Sequence, residues 1–196
     1  MLLDTHLTRR RLIVAALLAA GLQTGILAAM MKGSEDILAN GTPVTLKTVP
    51  VDPRDLLRGE YVVLAYDFSA LDTALITGEW PTEAGDQTLY VALVPDADGT
   101  WHAAEASFFP LIPSEGRVVI RSLPFRFEPS AEKPSVLRAD YGLERYYVPE
   151  GEGKALEEAR NGSRILVEAR VLEDGSSRIA SLRVLPPEGA AAPSAP

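Results

Sequence analysis

Cysteine is missing altogether from the 196 residues, and histidine occurs only at His6 and His102. Disulfide frameworks, Cys-ligated zinc, iron–sulfur clusters, thiol catalysis and a Cys-linked lipid anchor are therefore excluded, as is a multi-histidine metal site within one chain. Positive charge is also scarce: 19 Lys and Arg face 27 Asp and Glu, a net charge of −8. Three of the basic residues and one of the acidic ones lie in the first 31, which leaves 16 against 26 in residues 32–196, a net of −10. Such a surface repels nucleic acid and anionic headgroups, so no nucleic-acid partner is expected. The chain has no G-x-x-x-x-G-K-[ST], no G-x-G-x-x-G and no nucleophile elbow, which argues against a nucleotide site and an elbow-type hydrolase. No internal repeat is visible, and no cofactor is called for.

What is present begins with location. Arg9, Arg10 and Arg11 form a cationic block, and Leu12–Met31 then runs for 20 residues without a charge. At about 1.5 Å per residue such a helix covers about 30 Å, the thickness of a bilayer hydrocarbon core. Positive charge before the span predicts a cytoplasmic N-terminus and an external remainder. The organisation that follows is a cytoplasmic segment 1–11, a transmembrane anchor 12–31, a linker or helix extension 32–43, a β-rich domain 44–185 and a disordered Pro/Ala/Gly tail 186–196. The location is then the cytoplasmic (inner) membrane, single-pass, with the domain periplasmic. A cleaved signal peptide ending near Ala19-Ala20-Gly21 is the competing reading, although the apolar stretch continues past it through Ile26, Leu27 and Met30.

From Pro43 onward the patterning has period 2. Val44–Val49 alternates, and Glu60–Phe68 is apolar on both faces, as a central strand would be. Thr88–Val94 and Thr100–Phe109 flank Pro95-Asp96-Ala97-Asp98-Gly99, a hairpin signature. Arg117–Arg121 and Phe125–Glu128 read as further strands. Gly153–Arg160 reads as a short helix, ended by Asn161-Gly162 in the left-handed conformation. Arg164–Leu172 and Ser177–Leu185 form a last hairpin, with Ile165, Val167, Ala169 and Val171 on one face. The fold class is mainly β (α+β): an antiparallel β domain with one or two short helices behind a single N-terminal transmembrane helix.

Two regions concentrate chemistry. The first, 52–66, places Asp52, Arg54, Asp55, Arg58, Gly59, Glu60, Tyr61, Leu64 and Tyr66 around a turn that leads into an apolar strand. Arginines are able to clamp a carboxylate bidentately, but Arg54 and Arg58 are explained more simply as partners of Asp52, Asp55 or Glu60 that fix the turn. The second, 141–151, holds Tyr141, Gly142, Glu144, Tyr146, Tyr147, Pro149, Glu150 and Gly151 before the helix. The two are expected to meet in space, with Glu144 available to Arg54 or Arg58. His102 lies on a predicted strand and makes a poor triad member. The four lysines, Lys32, Lys47, Lys133 and Lys154, include none marked as buried and desolvated. Asp96-Ala97-Asp98-Gly99 lacks the third acid and distal Glu of a calcium loop and reads as a plain turn.

Gly59-Glu60-Tyr61-Val62-Val63-Leu64-Ala65-Tyr66 resembles the signature of the GDYXXLXY family, bacterial membrane-anchored proteins of unknown function. Val51–Arg58 and Tyr141–Gly151 also fit that resemblance, which covers about residues 10–185. Glu60 stands where the name-giving motif has Asp, which disfavours a strict metal-ligand role there. The resemblance implies no established activity. The expectation is a non-enzymatic binding module of the bacterial envelope, with an envelope or integral membrane protein as its partner. The alternative is a glycan or peptide hydrolase using paired carboxylates.

Overall fold

The computed structural model describes residues 3–50, 61–148, 153–162 and 164–186. Asp52, Arg54, Asp55, Arg58, Gly59, Glu60, Pro149, Glu150 and Gly151 lie outside the described residues, as does most of the 186–196 tail. The first element is helix α1 (Leu3–Asn40). It contains a stretch apolar enough to cross a membrane, with a mean hydropathy of 2.1, and the side chains of that stretch are unburied. Leu12, Leu17, Leu22, Leu27 and Met31 are all more than half exposed, so the described residues of the chain do not cover this apolar surface. A helix apolar on every side is matched to lipid rather than to one side of a core. The helix runs unbroken through residues 32–40, and β1 begins at Thr42.

Twelve strands and a second helix follow among the described residues. They are β1 (Thr42–Lys47), β2 (Tyr61–Val63), β3 (Ala70–Asp72), β4 (Gly85–Gln87), β5 (Tyr90–Pro95), β6 (Trp101–Ser107), β7 (Val118–Arg121), β8 (Phe125–Phe127), β9 (Val136–Arg138), β10 (Arg145–Tyr147), α2 (Gly153–Asn161), β11 (Ile165–Val171) and β12 (Ser177–Val184). Six form one sheet in the order β12-β11-β1-β6-β5-β7, and the rest pair as ribbons β2/β10, β3/β9 and β4/β8. Pairing is antiparallel except between β1 and β6, which meet in parallel at Leu46 and Trp101. The fold is thus mainly β, with two α-helices among the described residues, the first of them long and apolar at the N-terminus.

Alternation builds the core. Val44 and Leu46 of β1 and Ile165, Val167, Ala169 and Val171 of β11 all point inward and are almost fully buried. The edge strand β12 is mostly exposed and carries Arg178 and Arg183, charges that discourage further strand pairing. The sheet curls far enough for its other edge to reach the β11–β12 turn. There the Arg121 backbone N–H donates to the Gly175 carbonyl at 3.0 Å, and its guanidinium donates to Ser176 Oγ at 2.9 Å. Gly175 has φ +83°, and a Cβ there would stand 3.0 Å from the Arg121 backbone nitrogen. The positive φ favours glycine, and the close approach adds to it.

The join between α1 and the sheet is equally close. A Cβ at Gly41 would lie 2.6 Å from the Ile37 carbonyl oxygen and 2.8 Å from the Val171 nitrogen. Arg170 Nη1 donates to the Gly41 carbonyl at 3.2 Å.

Two sequence expectations need correction. Residues 61–68 do not make one central strand: among the described residues β2 covers Tyr61–Val63, pairs with β10 in its ribbon, and gives way to a 3-10 turn at Asp67–Ser69. Val62, Leu64, Tyr66 and Phe68 do alternate into the core. On the other side Tyr61, Val63 and Ala65 are only half-buried, beside β10 and α2. Helix α2 ends at Asn161 as read, but Gly162 is not left-handed; its N–H donates to Glu158 O at 3.3 Å, and Arg164 N–H to Ala159 O at 2.9 Å.

Candidate functional site

The two motif regions are neighbours. In the β2/β10 ribbon Tyr61 faces Tyr147, Val62 faces Tyr146 and Val63 faces Arg145. The pairing continues beyond the strands, where Leu64 N–H donates to the Glu144 carbonyl at 2.8 Å. Period 2 sorts these residues. Val62 and Tyr146 turn toward the core, while Tyr61, Arg145 and Tyr147 share the outer side.

The inward residues are structural. Leu64 and Tyr66 are each 1% exposed, and the Tyr66 hydroxyl donates to the Leu143 carbonyl at 2.8 Å. Its ring stacks on Phe68 at 5.2 Å, and Tyr141 meets Phe68 edge-on at 4.9 Å. Burial, reinforced by the nearby Glu144 charge, pushes the Tyr66 and Tyr141 hydroxyls far above the usual tyrosine range, so both stay neutral. The Tyr141 hydroxyl is buried without a partner among the described residues.

Glu144 closes the turn between these aromatics. Its Oε1 accepts from the Tyr141 N–H at 2.6 Å, and the Gly142 N–H also points to it. Desolvation raises the carboxyl above its ordinary value, partly offset by those N–H groups. Glu144 is thus tied to its own turn, and its proposed partners Arg54 and Arg58 fall outside the described residues.

The outer side is a different surface. Tyr147 is 70% exposed, its ring 5.9 Å from that of Tyr61. The Arg145 guanidinium sits over Tyr61 at 5.7 Å. Behind the ribbon, Arg160 of α2 is only 5% exposed; its Nη1 donates to the Val63 carbonyl at 3.2 Å, and Nε and Nη2 reach Asn161 Oδ1. The role of Arg160 as the clip that holds α2 to β2 was not legible in the sequence. Its one signal is a cation in the last turn of a short helix, where it is favoured by the negative end of the helix dipole.

Other chemistry finds little support. His102 Nδ1 lies 3.0 Å from Asp96 Oδ1 but is not aligned for a hydrogen bond, and among the described residues no hydroxyl bonds to either group. Asp98 accepts from Thr100 Oγ1 at 2.6 Å, Thr100 N–H at 2.9 Å and Lys47 Nζ at 3.3 Å. Those bonds close the hairpin turn. Among the described residues no group of three or more His, Asp or Glu side chains is placed to hold a metal ion.

The family model described as GDYXXLXY protein matches residues 23–182, most of the chain. No curated protein and no solved structure matches it.

Proposed function

The chain belongs to the GDYXXLXY family, and on that premise we propose that it is a membrane-anchored extracytoplasmic module that binds another envelope protein and performs no reaction of its own. The observation that carries this reading is the outer side of the β2/β10 ribbon, where the exposed Tyr147 and Arg145 flank the half-buried ring of Tyr61. Tyrosines beside an arginine are the composition of protein-binding hot spots, because such side chains bury large area with little loss of rotamer freedom. The topology rests on Arg9–Arg11 ahead of the uncharged Leu12–Met31 stretch, which favours a cytoplasmic N-terminus and an inner-membrane, single-pass anchor. The hydrolase alternative draws on the raised carboxyl of Glu144. That carboxylate already holds backbone N–H groups, and the binding reading uses the surface without moving it.

The test is photocrosslinking in membranes, with a benzophenone amino acid at position 147 and, as a control, at Val184. A discrete adduct from position 147 alone is expected, with capture of the same protein lost in Tyr147→Ala at an unchanged melting temperature. Equal capture by the parent chain and by Tyr61→Ala/Tyr147→Ala would remove the ribbon as the binding surface.

A further inference from the structure

A cavity, chemically unlike the β2/β10 surface, is lined by β8, β9 and the segment between them, with Trp80 and Pro81 beside it. It holds about 400 Å³, within the range of small-molecule sites. Its floor is Phe127, 7% exposed, and Leu137; Trp80 forms a wall, its ring 6.1 Å from Phe127 and 5.4 Å from Phe108. The segment 128–135, which joins β8 to β9, crosses it with Pro129 and Pro134. The floor and wall are therefore apolar.

The rim carries the opposite character. Arg126 and Arg138 project from β8 and β9, and Lys133 Nζ stands 4.8 Å from the centre of the Trp80 ring. Glu128 and Glu132 also line the cavity. Among the described residues none of these three cations is within ion-pair distance of a carboxylate, whereas Lys47, Arg117 and Arg121 each have one. Three cations against the two carboxylates of Glu128 and Glu132 leave the rim one positive charge in excess, in a chain that carries −8.

We propose that this cavity binds a small amphipathic carboxylate, its flat or aliphatic body against Trp80, Phe127 and Leu137 and its anionic end at Lys133 and Arg138. Charge complementarity selects the anion, since a neutral ligand of the same shape leaves the rim cations as they were. The ammonium over the indole face already shows how a cation is held at that edge. A bound carboxylate would share Lys133 with the ring, forming a charge-assisted pair at the mouth of the cavity. This site is separate from the β2/β10 surface, so neither reading depends on the other.

The experiment uses the full chain in nanodiscs and two probes of equal shape, 3-phenylpropionate and 3-phenylpropionamide. Calorimetry on the parent chain measures affinity. Fluorescence of the Trp101→Phe variant, in which Trp80 is the only indole, reports where the probe sits. The expected result is saturable binding of the carboxylate with a change in Trp80 emission, at least tenfold weaker binding of the amide, and weaker carboxylate binding as salt rises. Lys133→Met/Arg138→Met should lose the carboxylate at least tenfold at an unchanged melting temperature, since both side chains are exposed. Equal affinity for acid and amide, retention of binding by the double variant, or no saturable signal would each overturn the proposal.

Discussion

Tyr66 and Tyr147 have the same side chain, belong to the two motif regions, and do unrelated work. The Tyr66 ring is buried against Phe68 and its hydroxyl satisfies the Leu143 carbonyl. Tyr147 stands in the open beside Tyr61. Replacing Tyr66 with Phe keeps the stack and leaves a buried carbonyl without its donor, which should cost about 1–2 kcal/mol. Urea unfolding of the full chain in detergent measures it, with Tyr147→Ala expected within about 0.5 kcal/mol of the parent. A Tyr66→Phe variant as stable as the parent would mean that the carbonyl finds another donor. The sequence showed both tyrosines as members of a dense cluster. It did not separate them, because the distinction depends on the register with β10, a strand about eighty residues away.

At the scale of elements, what could be read in advance was what period 2 reports. β11 shows the clean case, with Ile165, Val167, Ala169 and Val171 inward along its length and buried as the pattern required. The hairpin of β5 and β6 around Asp96–Gly99 was legible for the same reason, helped by its turn residues. The three-residue strands β3, β4, β8 and β9 were harder: β8 was visible as Phe125–Glu128, but the others are too short to display a period. Their pairing depends on contacts distant in sequence. The cavity with Trp80 has no signature in the sequence, since its lining is assembled from β8, β9, the segment between them and the distant Trp80. The α1–β1 junction also depends on such contacts. Gly41→Ala forces a methyl group against the Ile37 carbonyl and the Val171 nitrogen, both main-chain atoms that move only with their elements. A loss of about 1–3 kcal/mol is expected, together with faster proteolysis between α1 and β1. An unaffected melting temperature and cleavage pattern would show that the join tolerates displacement.

For the whole molecule, acid stability follows from how the carboxylates are placed. Asp98 is held at about 2 by the Thr100 hydroxyl and N–H, with Lys47 adding to the effect, against an ordinary value of 3.8. A depressed folded-state value contributes stability that is complete above the ordinary value and disappears as pH falls from about 4 to about 2. Glu105 is lowered in the same direction, first by the Thr77 hydroxyl and then by Arg117. Glu144 works with the opposite sign: its raised value means that the fold favours the protonated form, so its penalty at neutral pH is relieved on acidification. Asp98→Asn should therefore lower the melting temperature at pH 7 and flatten its fall between pH 4 and 2. A curve parallel to that of the parent through that window would assign the acid limb to other groups.

The unbroken α1 and its tight seat at Gly41 have a rotational consequence. A helix advances about 1.5 Å and turns about 100° with each residue. With no break between Lys32 and Asn40 and with Gly41 wedged against Ile37 and Val171, the sheet turns with the helix as one body. The azimuth at which Tyr147 or Trp80 faces its surroundings is then set by a residue count. One residue more or fewer above Met31 swings every surface of the domain by more than a quarter of a circle while changing its height by little more than an atom's width.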